Sequence, residues 1–321
     1  MNDFYFPGPA GDEPGVLFEN EAYRPFRKRH PILFALIILL LIGGLGLPFV
    51  GCMRLMLTGD SMGSLYGVKQ LGVVNIEGVI MDSTDVVDWI HKLEENDNVV
   101  GVLVRINSPG GAVTPSEEIY FALERLREKK PVVASMSALA ASGGYMAALP
   151  AHHIIAAPSS VTGSIGTRMD MVNWEVLMGK IGIKDQSLAS GGMKSAGSPY
   201  RDMTEKERAY FVGMLTDMHE HFKEMVMKHR GLERDAIDKV ADGRAFTGRQ
   251  ALELGLVDSL GDKHDALEML NILTLNEAAG NILLEGPPKR YTLFEELFES
   301  LFQAWNSAKI RAASQQPMFY Y

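Results

Sequence analysis

Cysteine is nearly absent: Cys52 is the only one in 321 residues. No intrachain disulfide can form, and cysteine usage gives no reading of the compartment. Positive charge is scarce as well. A formal net charge of -9 leaves no large basic surface to neutralise phosphates, which argues against a nucleic-acid partner. The glycine spacings of the P-loop and dinucleotide motifs are missing, so the Gly-rich turns do not read as nucleotide sites. Metal spacing is missing too. His219 and His221 stand in "HEH" without the i, i+4 spacing of a helical zinc pair, and with His229 they read as the solvated face of a long charged helix. No metal or organic cofactor is expected.

What the chain does have is apolar content, 46% of its residues, enough to bury a full core. "PILFALIILLLIGGLGLPFVGCM", residues 31–53, carries no formal charge and at ~1.5 Å rise per residue spans a hydrocarbon core of ~30 Å. It predicts one transmembrane helix. Arg24, Arg27, Lys28 and Arg29 precede it, whereas Arg54 and Lys69 are isolated behind it. The positive-inside rule then places residues 1–30 in the cytoplasm and the rest of the chain outside it. A cleaved secretory signal is the alternative; the long leader and long apolar run favour an uncleaved anchor. Lipidation at Cys52 of "FVGC" is a minor variant of the same topology.

Residues 1–30 read as a tail rich in Pro, Gly and acids, and 54–70 as a polar linker. From 73 a strand-like "VVNIEGVI" is followed by amphipathic "STDVVDWIHKLEENDN", the buried-strand run "VVGVLVRIN", a helical stretch over 115–129 and a second buried run, "PVVASMS". Strands alternating with helices of this length predict an α/β fold with a mostly parallel sheet. Residues 204–254 are mostly helical in period, and the unit occurs once. In the tail after 275, "YTLFEELFESLFQAWN" puts Leu293, Phe294, Leu297, Phe298, Leu301, Phe302 and Trp305 on one helical stripe, predicting an amphipathic helix docked on the domain or on a neighbouring subunit.

Chemistry is expected at the carboxyl ends of the strands, where "NSPGG" (107–111) and "ALAASGG" (138–144) fall. Ser142, between a strand and a probable helix, is placed to act as a nucleophile. A lone serine among alanines is more often a packing residue, and a serine hydroxyl needs an adjacent base. None of the eight histidines is well placed; His152 and His153 fall beyond the helix that follows Ser142. Lys194 is the only charged residue between Asp185 and Arg201, among Gly191, Gly192, Met193, Ala196 and Gly197. Such a setting suits an amine held neutral as a base. From the residues alone it is equally a loop lysine in water. Gly110 and Gly111 can offer amides to an oxyanion, with Gly143 supplying a second donor.

Taken in order, "NSPGG" (107–111), "ASGGY" (141–145), "TGSIGT" (162–167), the lysine in "SGGMKSAGSPYRDMT" (190–204) and "GRAFTGRQALELGLVDSLG" (243–261) resemble the signal peptide peptidase A family of membrane serine peptidases. That family lies within the Clp protease and crotonase fold group of repeated ββα-type units. The resemblance covers about residues 71–265, and the domain it defines is taken as 71–275, with 276–321 an extension. It implies a Ser-Lys dyad: Ser142 the nucleophile, Lys194 the base and then acid, Ser164 orienting the lysine amine. Gly111 and Gly143 would form the oxyanion hole, with Gly110 shaping the turn. A single copy of the unit implies a ring-like homo-oligomer whose serine and lysine can come from neighbouring subunits. The expected protein is a single-pass inner-membrane endopeptidase with its catalytic domain outside the cytoplasm, acting on apolar peptides such as released signal peptides. A crotonase-like acyl-CoA enzyme and a non-catalytic membrane scaffold are the alternatives; the first predicts a soluble protein with a carboxylate acid/base, and peptidase activity left intact by both Ser142→Ala and Lys194→Ala would make the dyad wrong.

Overall fold

In the computed structural model of the protein the described residues are 30–34, 38, 68–275 and 283–288. Residues Met1–Asp60 and Ser61–Tyr321 form two units. In the first, residues 31–34 are helical; most of the apolar run 31–53, Cys52 and the stripe 293–305 lie outside the described residues. Among the described residues no helix is long and apolar enough to cross a membrane.

In the second unit, strands β1 (Gln70–Glu77), β2 (Val99–Ser108) and β3 (Val132–Ala141) alternate with helices α1 (Thr84–Glu95) and α2 (Val113–Arg127). The short helix α3 (Gly143–Ala148) and strands β4 (His153–Ala156) and β5 (Val161–Gly163) follow. The sheet order is β6-β5-β3-β2-β1-β8, with β4 also on β3 and β7 on β4. Here β6 is Ala245–Thr247, β7 is Ser259–Leu260 and β8 is Leu283–Gly286. Every ladder is parallel except β5 with β6, so the expected α/β class with a mostly parallel sheet is observed. β8 lies past residue 275 and extends the sheet beside β1.

Register explains why β1 and β2 read as unbroken apolar runs. Val73, Leu103 and Val133 stand opposite one another and pack with Ala266 and Leu270 of α8 (Lys263–Leu273). Their neighbours Val74, Val104 and Ala134 face the other way, into the larger core with Trp89, Ile90 and Leu93 of α1 and Ile119, Leu123 and Leu126 of α2. Because helices cover both faces, alternation between polar and apolar residues is lost.

Two local departures from the sequence reading bear on function. α2 begins at Val113 rather than 115, since Pro115 is accommodated in a first turn that needs no amide from it. β3 does not stop near Ser137. Its first half pairs with β4, and Leu139–Ala141 then switch to β5, so the alanine-rich stretch is strand and the turn falls at Ser142. Ser108 pairs with Ala140, which sets the turns after β2 and β3 side by side.

Candidate active site

Ser142 caps the start of α3 with φ 53° and ψ -121°, a left-handed conformation that costs a non-glycine residue ~1–3 kcal/mol. Two backbone bonds hold it there: its amide donates to the Gly163 carbonyl (2.8 Å) and its carbonyl accepts from the Met146 amide (2.9 Å). Ser164 is similarly strained at φ 51°. Its amide donates to the Arg244 carbonyl (2.9 Å) and its hydroxyl to the Gly243 carbonyl (3.2 Å). The two serines therefore sit one residue past the ends of the paired strands β3 and β5, each held by backbone rather than by packing.

The glycines before them are required by close approach. Gly110 has φ +89°, and a Cβ there would lie 2.6 Å from the Gly143 nitrogen. A Cβ on Gly111 would lie 2.0 Å from the Ile80 carbonyl oxygen, because Ile80 and Gly111 form a parallel bridge. That bridge uses the Gly110 carbonyl, which accepts from the Ile80 amide (3.0 Å), and the Ala112 amide, which donates to the Ile80 carbonyl (2.8 Å). The Gly110 amide is taken by the Ser108 hydroxyl at 3.1 Å. The amide of Gly111 takes part in none of these bonds, and that of Gly143 opens a helix, where N–H groups have no intrahelical acceptor. Gly110 thus packs against the Ser142 turn and the Gly143 nitrogen, and Gly111 follows it on the bridge to Ile80.

Ser142, Ser164, Gly110 and Gly111 line one open cavity of about 710 Å³, whose walls include Val79, Val113, Arg168, His219 and Asp242. Asp242 is held below the usual carboxylate range by the Arg244 side chain that binds it. The cavity is wide enough for a peptide and apolar on the Val79–Val113 side; Val79 is 61% exposed.

Lys194 is placed elsewhere. It is exposed, in a run of turns over residues 190–197, and is not among the residues lining the cavity. The chain places Ser142, Ser164, Gly110 and Gly111 on one cavity, with Gly143 buried against Gly110 and not on its lining, and without the lysine.

The histidines correct the sequence reading. His219 is not on a solvated face: it lines the cavity, and its Nε2 is buried with no partner. His229 is 3% exposed at its side chain, with Nε2 2.8 Å from the Tyr120 hydroxyl and Nδ1 2.9 Å from an Arg127 nitrogen. Both lie on α5 (Glu205–Arg230), whose 26 residues look polar throughout because the helix is buried only where it crosses other elements. Among the described residues no group of His, Cys, Asp and Glu could hold a metal ion.

A strained serine at a strand-to-helix turn, opening with Gly110 and Gly111 on a cavity of about 710 Å³, is an arrangement that a serine hydrolase can use. The comparisons narrow it. A model of peptidase family S49 matches residues 124–275, and a Clp protease model matches residues 70–177. A Synechocystis protein named as a candidate protease is 39% identical over 199 residues, 62% of this chain and 72% of that protein. One from Methanocaldococcus jannaschii, named likewise, is 41% identical over 192 residues, 60% of this chain and 62% of its own length. A candidate signal peptide peptidase SppA of Enterococcus faecium is 31% identical over 216 residues, 63% of each chain. The chain belongs to peptidase family S49, a family of serine-type peptidases. Its matched part spans less than two thirds of the Methanocaldococcus and Enterococcus proteins.

Proposed function

We propose that the chain is a membrane-anchored serine endopeptidase that cleaves apolar peptides, such as released signal peptides, with Ser142 as nucleophile and Lys194 of a neighbouring subunit as base. The observation that carries the reading is the strained Ser142 turn, packed against Gly110 and opening on the cavity that Gly111 and Ser164 also line. The hydroxyl oxygen attacks the peptide carbonyl as Lys194 takes its proton. The developing oxyanion is stabilised by the Gly111 and Gly143 amides. Lys194 returns the proton to the leaving amine, and water then hydrolyses the acyl-enzyme. Ser164 donates to the Gly243 carbonyl, which leaves its oxygen free to accept from the lysine amine and turn the nitrogen lone pair toward Ser142. No cofactor takes part.

Two observations support completion of the site by a second copy. The lysine turn is tied to the start of α5 through Arg201 and Glu207, whereas the cavity is lined by His219, about 12 residues or ~18 Å further along that helix. The segment between Ser164 and Lys194 also exposes Val172, Trp174, Val176, Leu177, Ile181 and Ile183 at 47–72%. An apolar surface of this extent marks a protein contact, and a ring of subunits covers it while bringing each Lys194 to the next Ser142. The assembly belongs to the fold group of repeated ββα-type units, with residues 71–275 as the peptidase domain. Residues 31–53 anchor it in an inner membrane with the amino terminus cytoplasmic, so that the site works beside the bilayer where apolar remnants reside.

Labelling of Ser142 by a fluorophosphonate tests the chemistry. Labelling should rise with pH and vanish both in Ser142→Ala, which lacks the nucleophile, and in Lys194→Ala, which lacks its base. No labelling at any pH refutes the reading.

A further inference from the structure

The base of a dyad must be held as firmly as the nucleophile, yet Lys194 lies in turns and not in a helix or strand. The residue after it is not loose. The carbonyl of Ser195 accepts from the Arg201 guanidinium at 3.0 Å. The same guanidinium donates to both carboxylate oxygens of Glu207, at 2.6 and 2.9 Å, and to the Asp202 carbonyl at 3.1 Å.

Glu207 is itself fixed. Its side chain is 4% exposed, and it closes the capping box of α5, accepting from the Thr204 amide at 2.9 Å while its own amide donates to the Thr204 hydroxyl at 3.3 Å. With the Arg201 guanidinium beside it, its carboxyl is held at about 2, so the pair stays ionised wherever a peptidase of this kind works. α5 is in turn joined to the Ser164 side of the cavity, where the Thr167 hydroxyl donates to the Leu215 carbonyl at 2.9 Å. The main chain beside Lys194 is thereby tied to a rigid helix that also forms part of a cavity wall.

We propose that Arg201, locked by Glu207, is a positioning residue for Lys194: it fixes the direction in which the lysine leaves its turn to meet Ser142 of the adjoining subunit. The proposal rests on the reading of Lys194 as base. Arginine is required because only a planar fork can bind a carboxylate with two nitrogens and still donate to two carbonyls; an ammonium acts as a point charge.

The test uses the full-length assembled protein and the rate of Ser142 labelling by a fluorophosphonate as a function of pH, with thermal unfolding measured alongside. Arg201→Ala should slow labelling by roughly 10–100-fold, the scale of a small misplacement of a catalytic group, and displace its pH profile. Arg201→Lys should recover only part of the loss. Glu207→Gln, which keeps the capping geometry and removes the charge, should share the defect, and the double variant should be no slower than Arg201→Ala.

Wild-type rate and pH profile in an assembled Arg201→Ala protein overturn the proposal. So does a loss that only follows the unfolded fraction while the pH profile keeps its shape. If Lys194→Ala labels like wild type, the dyad itself is wrong and the proposal falls with it; if Lys194→Ala is inert while Arg201→Ala is normal, only the clamp is wrong.

Discussion

Gly110→Ala separates two costs that the structure allows to be worked out. Alanine at φ +89° pays about 1–2 kcal/mol for a left-handed backbone. Its Cβ would also meet the Gly143 nitrogen at 2.6 Å, the Ala141 carbonyl at 2.9 Å and the Ser142 Cβ at 2.9 Å. These are backbone or nucleophile atoms with no flexible side chain to yield, so the Ser142 turn itself must move, and with it the Gly143 amide. Losing one oxyanion donor costs about 2.7–4 kcal/mol of transition-state stabilisation, or about 10²–10³ in rate. Gly78 is the control: φ is +71° but nothing lies within 4 Å of its Cβ position, so Gly78→Ala pays only the backbone cost. Urea denaturation should show Gly78→Ala destabilised by about 1–2 kcal/mol and Gly110→Ala by more than that, because of the added overlap, while stopped-flow acylation should fall by at least ~100-fold in Gly110→Ala alone. Acylation of Gly110→Ala within about threefold of wild type, from a correctly folded protein, would refute the placing of the Gly143 amide in the oxyanion site.

Tyr145, fully buried three residues after Ser142, donates to the Leu256 carbonyl at 2.9 Å, and burial pushes its phenol up; Tyr145→Phe should cost about 1–3 kcal/mol in chemical denaturation by orphaning that carbonyl. An unchanged midpoint would mean that the carbonyl finds another donor. Burial depresses His229, among Tyr120, Glu124, Arg127 and Lys228. The folded state then resists a proton that the unfolded chain accepts, so stability is complete above the ordinary imidazole value of 6.5 and is lost as pH falls below it. Thermal unfolding should show this acid loss reduced in His229→Gln; an identical acid slope would place its origin in other groups, such as His152, which burial also depresses.

Much of the site was legible because its chemistry is written in local sequence. "NSPGG" and "ASGG" end strands, and a glycine that must approach backbone within a turn leaves its mark at one position. Ser142 and Gly111 could therefore be singled out as candidates from the sequence, and both line the cavity. The extension of β3 through Ala141 could not, since an alanine-rich stretch carries no β signal and is held by its pairing with β5 and, at Ala140, with Ser108 of β2. Nor could the true setting of His219 and His229: a helix crossed by other elements at separate points keeps a polar composition and shows no continuous apolar stripe. The role assigned to Arg201 was equally hidden, because "YRDMTEKE" reads as a helix start whether or not its arginine reaches back to the lysine turn. What is set by neighbours distant in the chain left no periodic trace.

The most direct measurement of the central claim is complementation between inactive subunits. Ser142→Ala and Lys194→Ala chains are each inert alone on this account. Co-assembled in one membrane particle, they restore a boundary at which an intact Ser142 meets an intact Lys194 from the adjoining subunit. The account predicts fluorophosphonate labelling, confined to the Lys194→Ala chains that keep Ser142, together with cleavage of an apolar peptide. Particles shown to contain both chains yet giving neither labelling nor cleavage would contradict it.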